Sequence, residues 1–135
     1  MNKILVDTSV WIDAFNGKES WQTKLLGKLI DNDANIVLCP VIVQEILQGI
    51  KDDKDFKSIK ENLTGFEMLV IDPLADAYGA ASLYRNIRKR GVTIRKSNDC
   101  LIAFYAVTHK AILLHNEDDF NKIAHYSSLK ILCDE

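Results

Sequence analysis

The chain has 135 residues, a length that fits one domain over 1–135, and its two prolines and six glycines nowhere cluster into a linker. Hydrophobic residues at 47% and charged residues at 27% exclude an intrinsically disordered chain, and a net charge of −2 gives no global case for nucleic-acid binding. No apolar run is long enough for a signal-peptide core or a membrane span, so a cytoplasmic protein with no membrane role is expected. Cys39, Cys100 and Cys133 lack metal-ligand spacing and read as reduced, buried thiols.

Residues 3–6 form a short buried strand that runs into Asp7-Thr8-Ser9, where Thr8 or Ser9 is placed to cap a helix through Val10-Trp11-Ile12. Trp21, Leu25, Leu26, Leu29 and Ile30 recur at helical spacing, and Asn32-Asp33 ends that helix. Residues 36–39 are a second apolar, β-branched strand, and Pro40 suits the first turn of a helix from Val41 to about Ile50. Phe56, Ile59 and Leu63 mark a further amphipathic helix, followed by a strand over 68–71. Asp72-Pro73 pairs a cap with proline at the first helical position, and Gly91 stops the helix that follows. Ser97 is placed to cap a helix through 100–107 that is apolar nearly all round. A strand over 111–114, a short helix over 120–124 and a last strand over 129–132 complete the chain. Strands apolar on both faces and alternating with helices imply an α/β fold, a parallel sheet of about five strands sandwiched between helices. In such sheets ligands bind beyond the carboxyl ends of the strands, near a topological switch point.

Several acids fall where that rule points. Asp7 follows the first strand directly, although an aspartate there also caps helices. Asp99 stands in the first turn of an otherwise apolar helix, where the helix N-terminus favours its charge; dipole compensation is the simpler reading. Glu45 lies in the apolar stretch 41–47 and must either reach solvent or find a cationic partner. Asp118 and Asp119 follow the strand over 111–114, and either one also suits a cap. Carboxylates converging on one spot repel each other, and a divalent cation compensates; all-oxygen ligands suit Mg²⁺ or Mn²⁺ better than zinc. No Walker loop, GxGxxG, GxSxG or HExxH is present, and the three histidines lack ligand spacing. Arg85, Arg88, Lys89, Arg90, Arg95 and Lys96 form a basic run, read either as a solvated face or as a phosphate-binding surface.

These residues resemble a known family. Ile4-Leu5-Val6-Asp7-Thr8-Ser9-Val10-Trp11-Ile12-Asp13 looks like the opening of PIN-domain nucleases, especially VapC-type toxins of toxin–antitoxin pairs. Val43-Gln44-Glu45-Ile46-Leu47-Gln48-Gly49, Arg95-Lys96-Ser97-Asn98-Asp99-Cys100-Leu101-Ile102-Ala103 and Leu113-Leu114-His115-Asn116-Glu117-Asp118-Asp119-Phe120 resemble the later motifs, in order. The resemblance implies a Rossmann-like PIN domain and a metal-dependent endoribonuclease acting on single-stranded RNA. Asp7, Glu45, Asp99 and Asp119 would be its catalytic acids and the ligands of Mg²⁺ or Mn²⁺. Asp118 is a rival to Asp119. Thr8 and Ser9 would support Asp7, and Asn116 would orient its loop or the attacking water. Arg85, Arg88, Lys89 and Arg95 would contact the RNA backbone. A homodimer and a cognate antitoxin are the implied partners, the antitoxin tail wrapping helices near 21–30 and 41–63. A non-catalytic PIN-fold module that only binds RNA or protein is the main alternative, and a phospho-accepting receiver domain shares the layout.

Overall fold

The computed structural model describes residues 2–134. Strands β1 (Ile4–Val6), β2 (Ile36–Leu38), β3 (Glu67–Met68) and β4 (Ile112–Leu114) form one parallel sheet in the order β3-β2-β1-β4. The described residues also form helices α1 (Thr8–Phe15), α2 (Trp21–Asp31), α3 (Pro40–Gln48), α4 (Asp53–Leu63), α5 (Pro73–Lys89), α6 (Ser97–Thr108) and α7 (Asp118–His125). β1 lies at the centre, with Leu5 opposite both Val37 and Leu113 and Val6 opposite Leu114. These apolar side chains are fully buried, as expected of a parallel sheet covered on both faces.

Local chemistry sets the helix starts. Ser20 and Thr23 form a reciprocal capping box on α2, while Asp72 accepts from Ala75 N ahead of Pro73 at the start of α5. The apolar α6 is buried as its composition requires, packed against α5, α7 and β4. Gly79 lets α5 approach it closely, because a Cβ there would overlap the Phe104 ring. No helix of the described residues is long and apolar enough to cross a membrane.

Four expectations change. The sheet has four strands, because residues 129–132 contribute only one parallel bridge, Ile131 to Leu113, held by Leu113 N to Lys130 O and Leu132 N to Leu113 O. The strand expected at 68–71 is Glu67–Met68, since its partner β2 turns into α3 at Cys39-Pro40 and leaves residues beyond Leu69 without a ladder. Asp7 caps α1, and Thr8 and Ser9 lie within it; Ser97 is likewise inside α6, whose cap position is Lys96. Cys133 is exposed, while Cys39 and Cys100 are the buried thiols, and burial pushes them up to about 12 and about 11.

Candidate active site

The strand order reverses direction about β1: the chain moves from β1 to β2 and β3 on one side, and β4 joins on the other. A pocket of about 360 Å³ opens beyond the carboxyl ends of β1 and β4, at this switch point. Asp7, Asp13, Glu45, Asp99 and Glu117 all line it, with Lys18 and Lys96.

Asp7 is the first residue beyond β1 and is 4% exposed. Its Oδ2 accepts from Ser9 N at 3.0 Å and from Ser9 Oγ at 2.7 Å. The cap and the pocket position therefore coincide in one residue. Burial raises its pKa; the Ser9 bonds oppose that rise, and the charges of Glu45 and Glu117 add to it. Glu45 is half-buried on α3, and its Oε1 accepts from Thr8 Oγ1 at 2.9 Å. Of the two expected outcomes, solvent or a cationic partner, Glu45 takes the first, reaching the open pocket with the Thr8 hydroxyl as an added donor. The two α1 residues divide their work: Ser9 holds Asp7 and Thr8 holds Glu45.

Asp99, in the first turn of α6, is buried and its Oδ2 has no hydrogen-bond partner. Burial, then the neighbouring Asp7 and Glu117 carboxylates, push its carboxyl up to about 7, while Lys96 works in the opposite direction. Glu117 caps α7 by position and accepts from Lys96 Nζ at 3.0 Å, a bond that raises the pKa of Lys96. The Glu117 backbone N–H donates to His115 Nδ1 at 3.1 Å, which fixes Nδ1 as the acceptor of a ring whose pKa burial lowers.

Asn116 ties the loop after β4 to α1 and α2. Its backbone N–H donates to Ser9 Oγ at 3.0 Å, its Nδ2 donates to Asp13 Oδ2 at 3.1 Å, and its Oδ1 accepts from Gln22 Nε2 at 3.3 Å.

The pocket thus gathers Asp7, Glu45 and Asp99 but not Asp119. Asp119 is 1% exposed and turned inward, its Oδ2 accepting from Arg95 N at 2.9 Å. Its Oδ1 faces Lys122 Nζ at 3.6 Å and Arg95 Nε at 3.9 Å. Asp118 is exposed and pairs loosely with Lys122 at 3.7 Å. The acid of this segment that lines the pocket is Glu117. Arg85, Arg88 and Lys89 lie exposed on α5 and do not line the pocket, nor does Arg95. Arg88 instead sits over the Tyr84 ring, 5.6 Å from its centroid. Lys96, the last residue of the basic run, does line the pocket, and Asp13, Glu117 and Lys18 are the charged lining residues to which sequence reasoning gave no role. Two carried a usable signal: Asp13 lies one helical turn beyond Ser9, and Glu117 lies just past His115, which follows the Leu114 paired with Val6.

The donors fit a hard divalent cation: they are all carboxylates, one buried oxygen is unpartnered, and two of the acids resist ionisation. Among the described residues no three acids, histidines or cysteines are drawn together as a finished metal shell.

The sequence model of the PIN domain matches residues 4–126. A VapC ribonuclease of Mycobacterium bovis is 36% identical over 128 residues, covering 94% of this chain and 96% of that protein. Ribonuclease VapC11 of Mycobacterium tuberculosis matches to the same extent. Among solved structures the fold is similar to VapBC2 from Rickettsia felis bound to a promoter DNA fragment, with a TM-score of 0.75 at 19% identity, covering 96% of this chain and 97% of that one. VapBC-1 from nontypeable Haemophilus influenzae gives a TM-score of 0.72 at 19% identity, with 96% of each chain covered. A parallel sheet with carboxylates at its switch point, a domain match over nearly the whole sequence and these relatives agree: the chain belongs to the PIN domain family, among its VapC ribonucleases.

Proposed function

We propose that the chain is the toxin of a toxin–antitoxin pair, an endoribonuclease that hydrolyses single-stranded RNA with Mg²⁺ or Mn²⁺ held by Asp7, Glu45, Asp99 and Glu117. The observation that carries this reading is the unpartnered, buried Asp99 Oδ2 in a pocket walled by other carboxylates. Such an arrangement is costly unless a cation compensates it.

When bound, the cation supplies a Lewis acid and a water acidic enough to attack phosphorus. The chain's own residues do the rest. Ser9 and Thr8 hold Asp7 and Glu45 in place, and Asn116 fixes the opposite wall through Ser9 and Asp13. Lys96 brings an ammonium group to the pocket where a phosphate would acquire charge, and Lys18 brings a second. Asp119 is a positioning residue in this reading, anchoring the Arg95 backbone next to Lys96. These two lysines, more than Arg85, Arg88 and Lys89, are the proposed phosphate contacts.

A protein antitoxin and a homodimer belong to the same reading. The similar fold from Klebsiella pneumoniae was solved as a toxin–antitoxin complex, with a TM-score of 0.66 at 21% identity. We place the antitoxin tail across α2, α3 and α4, with a basic side chain entering the acidic pocket. Self-association is supported by exposed Val70, Leu74 and Tyr78, which leave apolar surface near the start of α5.

The test is direct. Purified, antitoxin-free protein should cut single-stranded RNA with Mg²⁺ or Mn²⁺, and chelator, Asp7→Asn or Asp99→Asn should stop it. Intact RNA under every condition, with binding that ignores chelator, would replace the enzyme by a non-catalytic binding module.

A further inference from the structure

A second cavity, of about 530 Å³, lies beside the carboxylate pocket and shares Asn116 and Glu117 with it. Its size is within the range of small-ligand sites, about 300–1,000 Å³. Trp21 and Gln22 from the start of α2 line it, with His115, Asp118, Asn121 and Leu132. No lysine or arginine among the described residues lines it, although two lysines line the neighbouring pocket. The cavity therefore disfavours a phosphate and favours an uncharged ligand that carries hydrogen-bond donors.

We propose that this cavity is a nucleobase subsite for the nucleotide next to the scissile phosphate, with guanine its preferred base; the assignment rests on the ribonuclease reading above. The half-buried Trp21 supplies an aromatic surface of the kind on which unpaired bases stack. Asp118 supplies a carboxylate that only accepts, and its loose, exposed pairing with Lys122 leaves it available. The Watson–Crick edge of guanine presents adjacent ring and amino N–H donors that a carboxylate can accept together. Uracil presents two carbonyls around one N–H, which the same carboxylate repels. Adenine and cytosine offer an amino group beside an acceptor nitrogen and fall between.

The cavity is also wired to the chemistry. Gln22, nine-tenths buried, donates to Asn116, which donates to Asp13 through its amide and to Ser9 Oγ through its backbone; Ser9 in turn donates to Asp7. A base seated against Gln22 and Asn116 thereby steadies the residues that hold Asp7.

Two assays separate this proposal from the reading it rests on. In chelator, titrating the intact protein with GMP, AMP, CMP or UMP should quench Trp21 fluorescence, with GMP binding tightest by about tenfold or more over UMP. Trp21→Phe identifies the signal against that of Trp11. Asp118→Asn should remove most of the GMP advantage, and Asn121→Ala serves as a second variant should that protein misfold. With Mg²⁺, cleavage of a randomised single-stranded RNA should show guanine enriched at one fixed offset from the cut. Asp118→Asn should flatten that enrichment, the cuts losing their fixed guanine. Equal or absent mononucleotide binding, or cutting with no fixed base, overturns the subsite and leaves the ribonuclease standing. GMP binding without any RNA cleavage overturns the ribonuclease reading and the flanking-nucleotide assignment together, leaving a guanine-binding cavity.

Discussion

Replacing Asp99 with asparagine should stabilise the metal-free protein while destroying its activity. The Asp99 carboxyl stands at about 7 instead of its ordinary 3.8, chiefly through burial and then through Asp7 and Glu117. A carboxyl whose folded pKa is raised contributes stability that is fully present below the unfolded value and lost as pH rises through the folded one. Above pH 7 the ionised group costs the fold roughly 4 kcal/mol, at about 1.4 kcal/mol per pH unit, and relaxation reduces that to roughly 2–3 kcal/mol. Asparagine removes the charge and adds two donors facing neighbouring carboxylates, where Oδ2 now has no partner. For a chain of this length about 3 °C accompanies each kcal/mol, so in chelator at pH 8 the melting temperature of Asp99→Asn should exceed the wild type by about 5–10 °C. The gap should narrow through the window from about 7 down to 3.8 and vanish below it, because both folded and unfolded wild type are then protonated. Mg²⁺ should raise the wild type at pH 8 and leave the variant nearly unmoved. Thermal unfolding followed by circular dichroism at several pH values reads all three effects. A variant less stable than the wild type at pH 8, or a difference indifferent to pH, would return Asp99 to simple compensation of the α6 dipole.

Lys18→Gln and Lys96→Gln should each lower the salt slope of RNA binding by about one, measured with labelled single-stranded RNA on an inactive background, whereas Arg88→Gln should leave the slope unchanged. Asp119→Ala should cost about 1–3 kcal/mol in urea unfolding, because it removes the buried acceptor of the Arg95 N–H and leaves a gap beneath that segment, and should lower cleavage by releasing the segment that carries Lys96. Gly79→Ala should cost about 1–3 kcal/mol by driving a methyl group into Phe104, with cleavage per folded molecule retained; a neutral melting temperature would show that α5 and α6 separate freely.

The sheet was legible because β1, β2 and β4 must be apolar on both faces, and that requirement writes itself as unbroken Ile, Leu and Val runs. Residues 129–132 carry the same composition, yet pairing there amounts to one bridge, since a ladder depends on the neighbour's register as well as on propensity. The site divides along a similar line. Asp7 and Asp99 were readable because a strand end and a helix start fix where their side chains begin. Glu117, Asp118 and Asp119 are three acids in succession, and nothing in their composition says which meets the pocket. That choice is made by the start of α7. With Glu117 at the cap, each following residue turns by about 100°, so that Asp118 swings out to solvent and Asp119 inward beneath Arg95. Glutamate is a weak capping residue and its side chain makes no capping bond here, so the boundary itself had no local signal. The basic run divides in a related way: its α5 members lie away from the pocket, whereas Lys96, its last member, lines it from the cap position of α6, and Lys18 does so from the loop after α1. Distance from the switch point, which topology sets, decides which charges act on a substrate.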